Sequence, residues 1–283
     1  MSAASCPRIE RAGWSIRTTA PPEMRERLIT ATLQAVARSR GLPHRRSRRA
    51  TTWILRLKGS APGASAVTYV KLFDAPDGIL ARIKRQFRGS LSGHVERITK
   101  ALRDAGIHAP QVVIAATEMN DHREFIGTER IEGHMLAVKF RRRGALDLRT
   151  KRVMLKALGH EIAKMHRAGF IHGDMTPFNV FVTSDDPPQF SFIDHERTRP
   201  TPWLLAGRHR MRNFVQLGRF KFAGLTRTDK VRVFVAYAGV MGINRRRAMR
   251  RAARMVNARI SRDTARASAS APPIGQAVEG GAR

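Results

Sequence analysis

The sequence predicts an α+β chain of two lobes, an antiparallel sheet lobe followed by a mainly helical one. Apolar, β-branched runs crowd the first half, two amphipathic helical stripes follow at steps of three and four, and one hairpin pattern closes the series. A chain of 283 residues can bury one such core. Residues 1–40 read as a poorly patterned extension, 41–132 as the sheet lobe and 133–262 as the helical lobe. Residues 263–283 are small, polar and rich in Pro and Gly, so a disordered tail is expected there.

Taken in order, TTWILRL (Thr51 to Leu57) and AVTYVKLF (Ala66 to Phe73) predict two strands joined by the turn KGSAPGAS. The segment His94 to Ile107 repeats Val95, Ile98 and Leu102 on one side, then meets Gly106 and Pro110, which predicts a helix and its stop. Val112 to Thr117 and Arg123 to Ile131 read as further strands, with Glu132 and Gly133 as the hinge between lobes. Arg149 to Ala168 carries Leu155, Leu158, Ile162 and Met165 on one face. After it, Val180 to Val182 and Phe190 to Ile193 flank SDDPPQ, a turn signal that makes them a hairpin.

Between that last helix and the hairpin runs HGDMTPFN (His172 to Asn179), and the hairpin ends in Ile193-Asp194-His195-Glu196. Asp174 precedes Asn179 by the interval found in the catalytic loop of kinase-like phosphotransferases, and Asp194 lies where their second metal-binding Asp lies. The residue types suit phosphoryl transfer to a hydroxyl. A carboxylate at Asp174 would orient the acceptor hydroxyl and take its proton. An amide oxygen from Asn179 and a carboxylate from Asp194 would suffice for Mg²⁺, which keeps several waters. Taken singly, HGD and IDHE are ordinary polar turns; the joint spacing, hairpin and upstream helix favour the kinase reading. His166 reads as a packed helix residue and His172 as a brace of the loop rather than a proton acceptor.

Lys71, in the second strand, stands in the setting of the lysine that contacts the α- and β-phosphates of ATP. Glu96, near the start of the following helix, is its expected partner, with Glu118 and Glu124 as rivals. The backbone of Glu129 to Ile131 would contact adenine. No GxGxxG precedes Lys71; HRRSRRA (His44 to Ala50) stands there instead, either as a basic turn over the phosphates or as a disordered arm.

The succession YVKLF, SGHVERITKALRDAGIHAP, ERIEGHML, MHRAGFIHGDMTPFNVFV, IDHER and MRNFVQLGRF resembles the lipopolysaccharide core kinases, the heptose and Kdo kinases of the Gram-negative inner core, over about residues 43 to 240. The resemblance implies a two-lobed protein-kinase-like fold, ATP and Mg²⁺ as cofactors, and a sugar hydroxyl on a lipid-linked core oligosaccharide as acceptor. Thr176 stands where Ser/Thr protein kinases carry a Lys, and no Gly follows His195, departures that favour a small-molecule or sugar kinase. Similar family members often have Asp where Asn213 stands, which leaves open whether Asn213 braces the catalytic loop. The rival readings are a kinase of the aminoglycoside or choline type, and a non-catalytic pseudokinase that binds anionic surfaces. Intact Lys71, Asp174, Asn179 and Asp194 weigh against the latter.

A formal net charge of +31 suits nucleic acid, an anionic membrane and substrate, or mere compositional bias towards Arg. No aromatic RNA-binding signature, zinc spacing or helix-turn-helix cue supports specific nucleic-acid recognition. Peripheral contact with the cytoplasmic face of the inner membrane is the expectation, each clustered cation contributing roughly 1 kcal/mol near an anionic surface. The stretch Asn244 to Arg262 reads either as a terminal helix with a solvated basic face or as such a membrane anchor. The single Cys6 precludes an intramolecular disulfide, and no apolar run is long enough to span a bilayer.

Overall fold

The computed structural model describes residues 8–37, 45–46, 50–58, 65–74, 89–120, 123–244, 246, 249–250, 253–259 and 261–262. The tail 263–283 and most of the basic turn His44 to Ala50 lie outside these, so neither expectation about them is addressed.

Seven strands form the first sheet: β1 (Arg8–Arg11), β2 (Trp14–Thr18), β3 (Arg45–Arg46), β4 (Ala50–Lys58), β5 (Ser65–Phe73), β6 (Val112–Glu118) and β7 (Glu124–Glu129). Their order is β1-β2-β6-β7-β5-β4-β3 and every pairing is antiparallel. Period-two alternation divides the side chains between two faces. Val70, Leu72, Ile114 and Phe125 meet Leu28 and Ile29 of helix α1 (Pro22–Ala37), whereas Phe73, Ala115 and Ile126 meet Val95 of helix α2 (Leu91–Asp104). Lys71 shares the parity of Phe73, which points it to the α2 side. Its ammonium lies 5.3 Å from the centre of the Phe73 ring.

Residues 1–40 were expected to be a patternless extension, and this is corrected for 8–37. They supply an edge hairpin and a whole helix of the first lobe. The pattern is faint because the outer strand keeps Arg8, Glu10 and Arg11 in water, and β2 buries the polar Ser15 and Thr18 alongside Trp14 and Ile16, so neither strand alternates cleanly. The hairpin closes through Ala12 and Gly13, both at positive φ (50° and 79°), as a two-residue turn matched to strand twist requires.

The second lobe is mainly helical, with a short helix α3 (Leu136–Lys139), then α4 (Leu148–Arg167), α5 (Trp203–Gly218) and α6 (Arg227–Met241). Strand β10 (Val180–Asp185) pairs with β11 (Pro188–Phe192) as the expected hairpin, and with β8 (His134–Met135); β9 (Phe170–Ile171) pairs with β12 (Arg199–Pro200). The predicted stripe of α4 is buried throughout: Leu155, Leu158, Ile162 and Met165 pack with Val180, Val182, Phe190 and Phe192 of the hairpin. Asp147 starts α4 by accepting from the amides of Arg149 and Thr150, an N-cap. Ile98 and Leu102 of α2 also join this second core, so α2 packs on both lobes and links the sheet to the β10–β11 hairpin. Near the C-terminus, Met249 and Met255 pack on the same core while Arg246, Arg250 and Arg254 are exposed.

Candidate active site

The loop from His172 to Asn179 connects β9 to β10, and the turn 194–197 leaves β11, so the hairpin brings the two loops side by side. Their backbones are bonded directly: the amide of Ile193 donates to the carbonyl of Asn179 over 3.0 Å. His172 supplies a second bridge. Its Nε2 pairs with the carbonyl of Ile193 at 2.9 Å and its Nδ1 accepts from the amide of Asp174 at 3.2 Å, which places the proton on Nε2. Burial pushes its pKa down, so His172 is a neutral brace, as the sequence reading has it. Gly173 is required beside it, because a Cβ there would run into the backbone of Arg197.

Asn179 turns its Nδ2 towards Asp174, donating to the main-chain oxygen at 2.9 Å and reaching Oδ2 at 3.4 Å. That orientation directs its Oδ1 away from Asp174. Asp194 adopts left-handed backbone, φ 67°, a conformation that non-glycine residues hold only where the surroundings impose it. His195 imposes it, since its buried ring bonds the carbonyl of Phe192 (2.7 Å) and the hydroxyl of Thr198 (3.0 Å). Burial first, then the nearby His172, lowers its pKa to about 3, so His195 stays neutral.

Lys71 Nζ bonds Oδ1 of Asp194 at 3.3 Å and Oε1 of Glu196. Burial alone would lower the lysine pKa, but the two carboxylates together raise it. Burial likewise opposes ionisation of Asp194, and Lys71 leads the effects that bring its pKa down. Glu196 goes the other way: burial, reinforced by Asp194, pushes its carboxyl up to about 7.

Lys71, Asp174, Asn179 and Asp194 thus converge, but Glu96 does not join them. Its Oε2 takes Nε of Arg17 at 3.1 Å, because β2 runs beside β6 and presents Arg17 to the start of α2. The rival carboxylates are engaged too. Glu118 takes Arg123 through both oxygens at 2.6 Å, and buried Glu124 accepts from the amides of Leu91 and Ser92 that open α2. At the hinge, Glu129 uses its side chain to hold the amide of Gln111 (2.8 Å) and Arg103 (3.1 Å). Its own amide donates to Gln111 and that of Arg130 to Val67, and Ile131 is the next residue along the hinge.

The sequence reading leaves Asn213 open and misses Gln216 and Tyr237 beneath this loop. Asn213 of α5 accepts from Nε2 of His166 (3.0 Å) and donates to the carbonyl of His172 and to Gln216 (3.1 Å). Gln216 in turn bonds the carbonyl of Gly173 (2.9 Å) and the amide of Met175 (3.2 Å), and Tyr237 of α6 bonds Nδ1 of His166 (3.0 Å). The open question over Asn213 is settled by these bonds: it braces the loop. His166 is packed and hydrogen-bonded as expected, its pKa driven by burial to about 4.

Chemically, the arrangement offers an acceptor-side carboxylate, an amide oxygen and a carboxylate for a hard cation, and a lysine for phosphate charge. The model of the lipopolysaccharide kinase (Kdo/WaaP) family matches residues 92–237. The chain belongs to this family. Within curated proteins it is 32% identical over 115 residues to a probable serine/threonine-protein kinase BUD32 homolog of Archaeoglobus fulgidus, covering 41% of this chain and 49% of that one. It is also 31% identical over 133 residues to a probable bifunctional tRNA threonylcarbamoyladenosine biosynthesis protein of Thermoplasma acidophilum, covering 44% of this chain and 23% of that one. The chain therefore spans about half the length of the first relative and about a quarter of the second. The fold is kinase-like, and the family match spans Asp174, Asn179 and Asp194, with Lys71 on the strand that precedes it.

Proposed function

We propose that this kinase transfers the γ-phosphate of ATP to a sugar hydroxyl of the lipopolysaccharide inner core, on heptose or Kdo. The family match across the catalytic loop and its hairpin carries the reading. Asp174 orients the acceptor hydroxyl and receives its proton, held in register by His172 and Asn179. Lys71 neutralises phosphate charge, and backbone from Glu129 to Ile131 takes the adenine. Asn179 Oδ1 and Asp194 would hold Mg²⁺, and the donor set fits: Asn179 turns its Nδ2 to Asp174 and so leaves its oxygen for a cation, and an amide and one carboxylate suit an ion that shares its shell with phosphate and water. When bound, Mg²⁺ supplies charge stabilisation at the transferring phosphoryl group.

The acceptor is lipid-linked, and the exposed Arg246, Arg250 and Arg254 provide a surface for anionic phospholipid. The contact proposed is peripheral and on the cytoplasmic face; no helix among the described residues is long and apolar enough to cross a membrane. The decisive experiment is the mass of core oligosaccharide from cells with and without the gene. Loss of one phosphate supports the reading; identical masses refute it. The archaeal relatives make protein or tRNA-linked chemistry the natural control, tested by offering the same enzyme a generic protein substrate.

A further inference from the structure

We infer that Glu196, rather than a glutamate of α2, is the residue that positions Lys71 for the phosphates of ATP. In kinase-like enzymes a helix carboxylate ordinarily holds this lysine. In this chain the helix candidate is spent elsewhere, since Glu96 pairs with Arg17 at 3.1 Å, while Glu118 and Glu124 are engaged by Arg123 and by the start of α2. Lys71 instead bonds Glu196 directly and Asp194 at 3.3 Å.

Glu196 has a rigid base from which to do this. It sits in the 3-10 turn His195–Arg197, immediately after the left-handed Asp194. The buried His195 pins that turn from within, through Phe192 and Thr198. The turn is also tied to the sheet lobe, because Nε2 of His94 in α2 bonds the carbonyl of Thr198 at 2.9 Å. A carboxylate two positions after Asp194 thus stands on the element that brings Asp194 to the same lysine. One short turn then aligns the lysine and the candidate cation ligand together. Charge-assisted bonds of this kind are the strong ones, and a lysine side chain with four rotatable bonds loses orientation readily without one.

The inference rests on the kinase reading of the site but not on the identity of the acceptor, so its test uses nucleotide alone. Binding of MgATP, followed by displacement of a fluorescent ATP analogue, is measured for Glu196→Ala, Glu196→Gln, Glu196→Asp, Glu96→Gln, Lys71→Ala and the double variant Lys71→Ala/Glu196→Ala, with thermal unfolding alongside. Loss of the carboxylate at Glu196 is expected to weaken MgATP binding by about tenfold, in line with a charge-assisted bond, at an unchanged unfolding midpoint. Glu196→Asp is expected to recover part of the loss. Because Glu196 acts through Lys71, the double variant should bind no more weakly than Lys71→Ala alone. Strictly additive losses, tighter binding by Glu196→Gln, or a tenfold loss in Glu96→Gln would each overturn the assignment. The glutamine variant keeps size and hydrogen bonding, so the test survives if Glu196→Ala fails to fold.

Discussion

Asn213 joins His166 to His172: its Oδ1 accepts from Nε2 of His166 over 3.0 Å while its Nδ2 donates to the main-chain oxygen of His172. Through this one buried amide, helices α4 and α5 grip the backbone that carries Asp174. Asn213→Leu, of similar volume, leaves a ring N–H, a carbonyl and Gln216 without that partner. Each buried group left unsatisfied costs about 1–3 kcal/mol. The expected outcome is a clear loss of stability in urea unfolding and a fall in kcat larger than any rise in KM for ATP. A stable, fully active variant would remove Asn213 from the loop support.

Asp174→Ala is expected to lower turnover by about 10² to 10⁴ while ATP binding survives, since this carboxylate serves the acceptor. Retention of near-normal turnover in the folded protein would end its proposed role.

Asn179→Ala and Asp194→Ala should each raise the Mg²⁺ concentration needed for half-maximal activity and depress turnover at saturation. The two differ in one respect. Asp194→Ala also frees one bond of Lys71, so it should change nucleotide binding in the absence of Mg²⁺ as well. Mg²⁺ titrations that overlay the wild type for both variants would contradict the ligand assignment.

Stability should rise with pH between about 4.5 and 6.5. His166 and His195 stay neutral in the fold down to about 4 and about 3, yet in the unfolded chain they protonate near the ordinary imidazole value of 6.5. The unfolded state therefore binds more protons across this window, and acid favours it. Each such histidine contributes a slope approaching about 1.4 kcal/mol per pH unit. Glu196 has the opposite sign: raised from 4.5 to about 7 in the fold, it holds a proton there that the unfolded chain has released, so it lowers stability as pH rises. Two histidines outweigh one glutamate. Thermal midpoints at pH 4.5, 5.5, 6.5 and 7.5 check the sign, and a midpoint that falls from 4.5 to 6.5 would show the histidines to be charged in the fold.

Association with vesicles of anionic phospholipid should weaken steeply with salt, because screening shortens from about 10 Å at 0.1 M to about 3 Å at 1 M. Replacing Arg246, Arg250 and Arg254, all exposed, with Gln should reduce vesicle binding and turnover on lipid-linked acceptor, and leave a soluble acceptor fragment phosphorylated at the original rate. Equal loss on both acceptors would make this segment structural.

Local order in this protein is written in its sequence. The stripe Leu155, Leu158, Ile162 and Met165, the hairpin about residues 186 and 187, and the interval from Asp174 to Asn179 each depend on neighbours a few positions apart, so helical period, turn chemistry and loop length specify them without knowledge of the rest of the chain. Which charges meet is a different matter. Arg17 takes Glu96 across 79 positions and Lys71 takes Glu196 across 125, and neither choice leaves a periodic trace. Several carboxylates of equal chemistry competed for Lys71 on paper. The tertiary structure passes over Glu96, Glu118 and Glu124 and brings Glu196 to Lys71 instead, by carrying an edge hairpin, itself too charged to announce its strands, alongside α2, and by pinning the turn after Asp194 with a buried histidine. Sheet order and close packing fix such distances, and the strength of an ion pair depends on distance and burial rather than on separation along the chain.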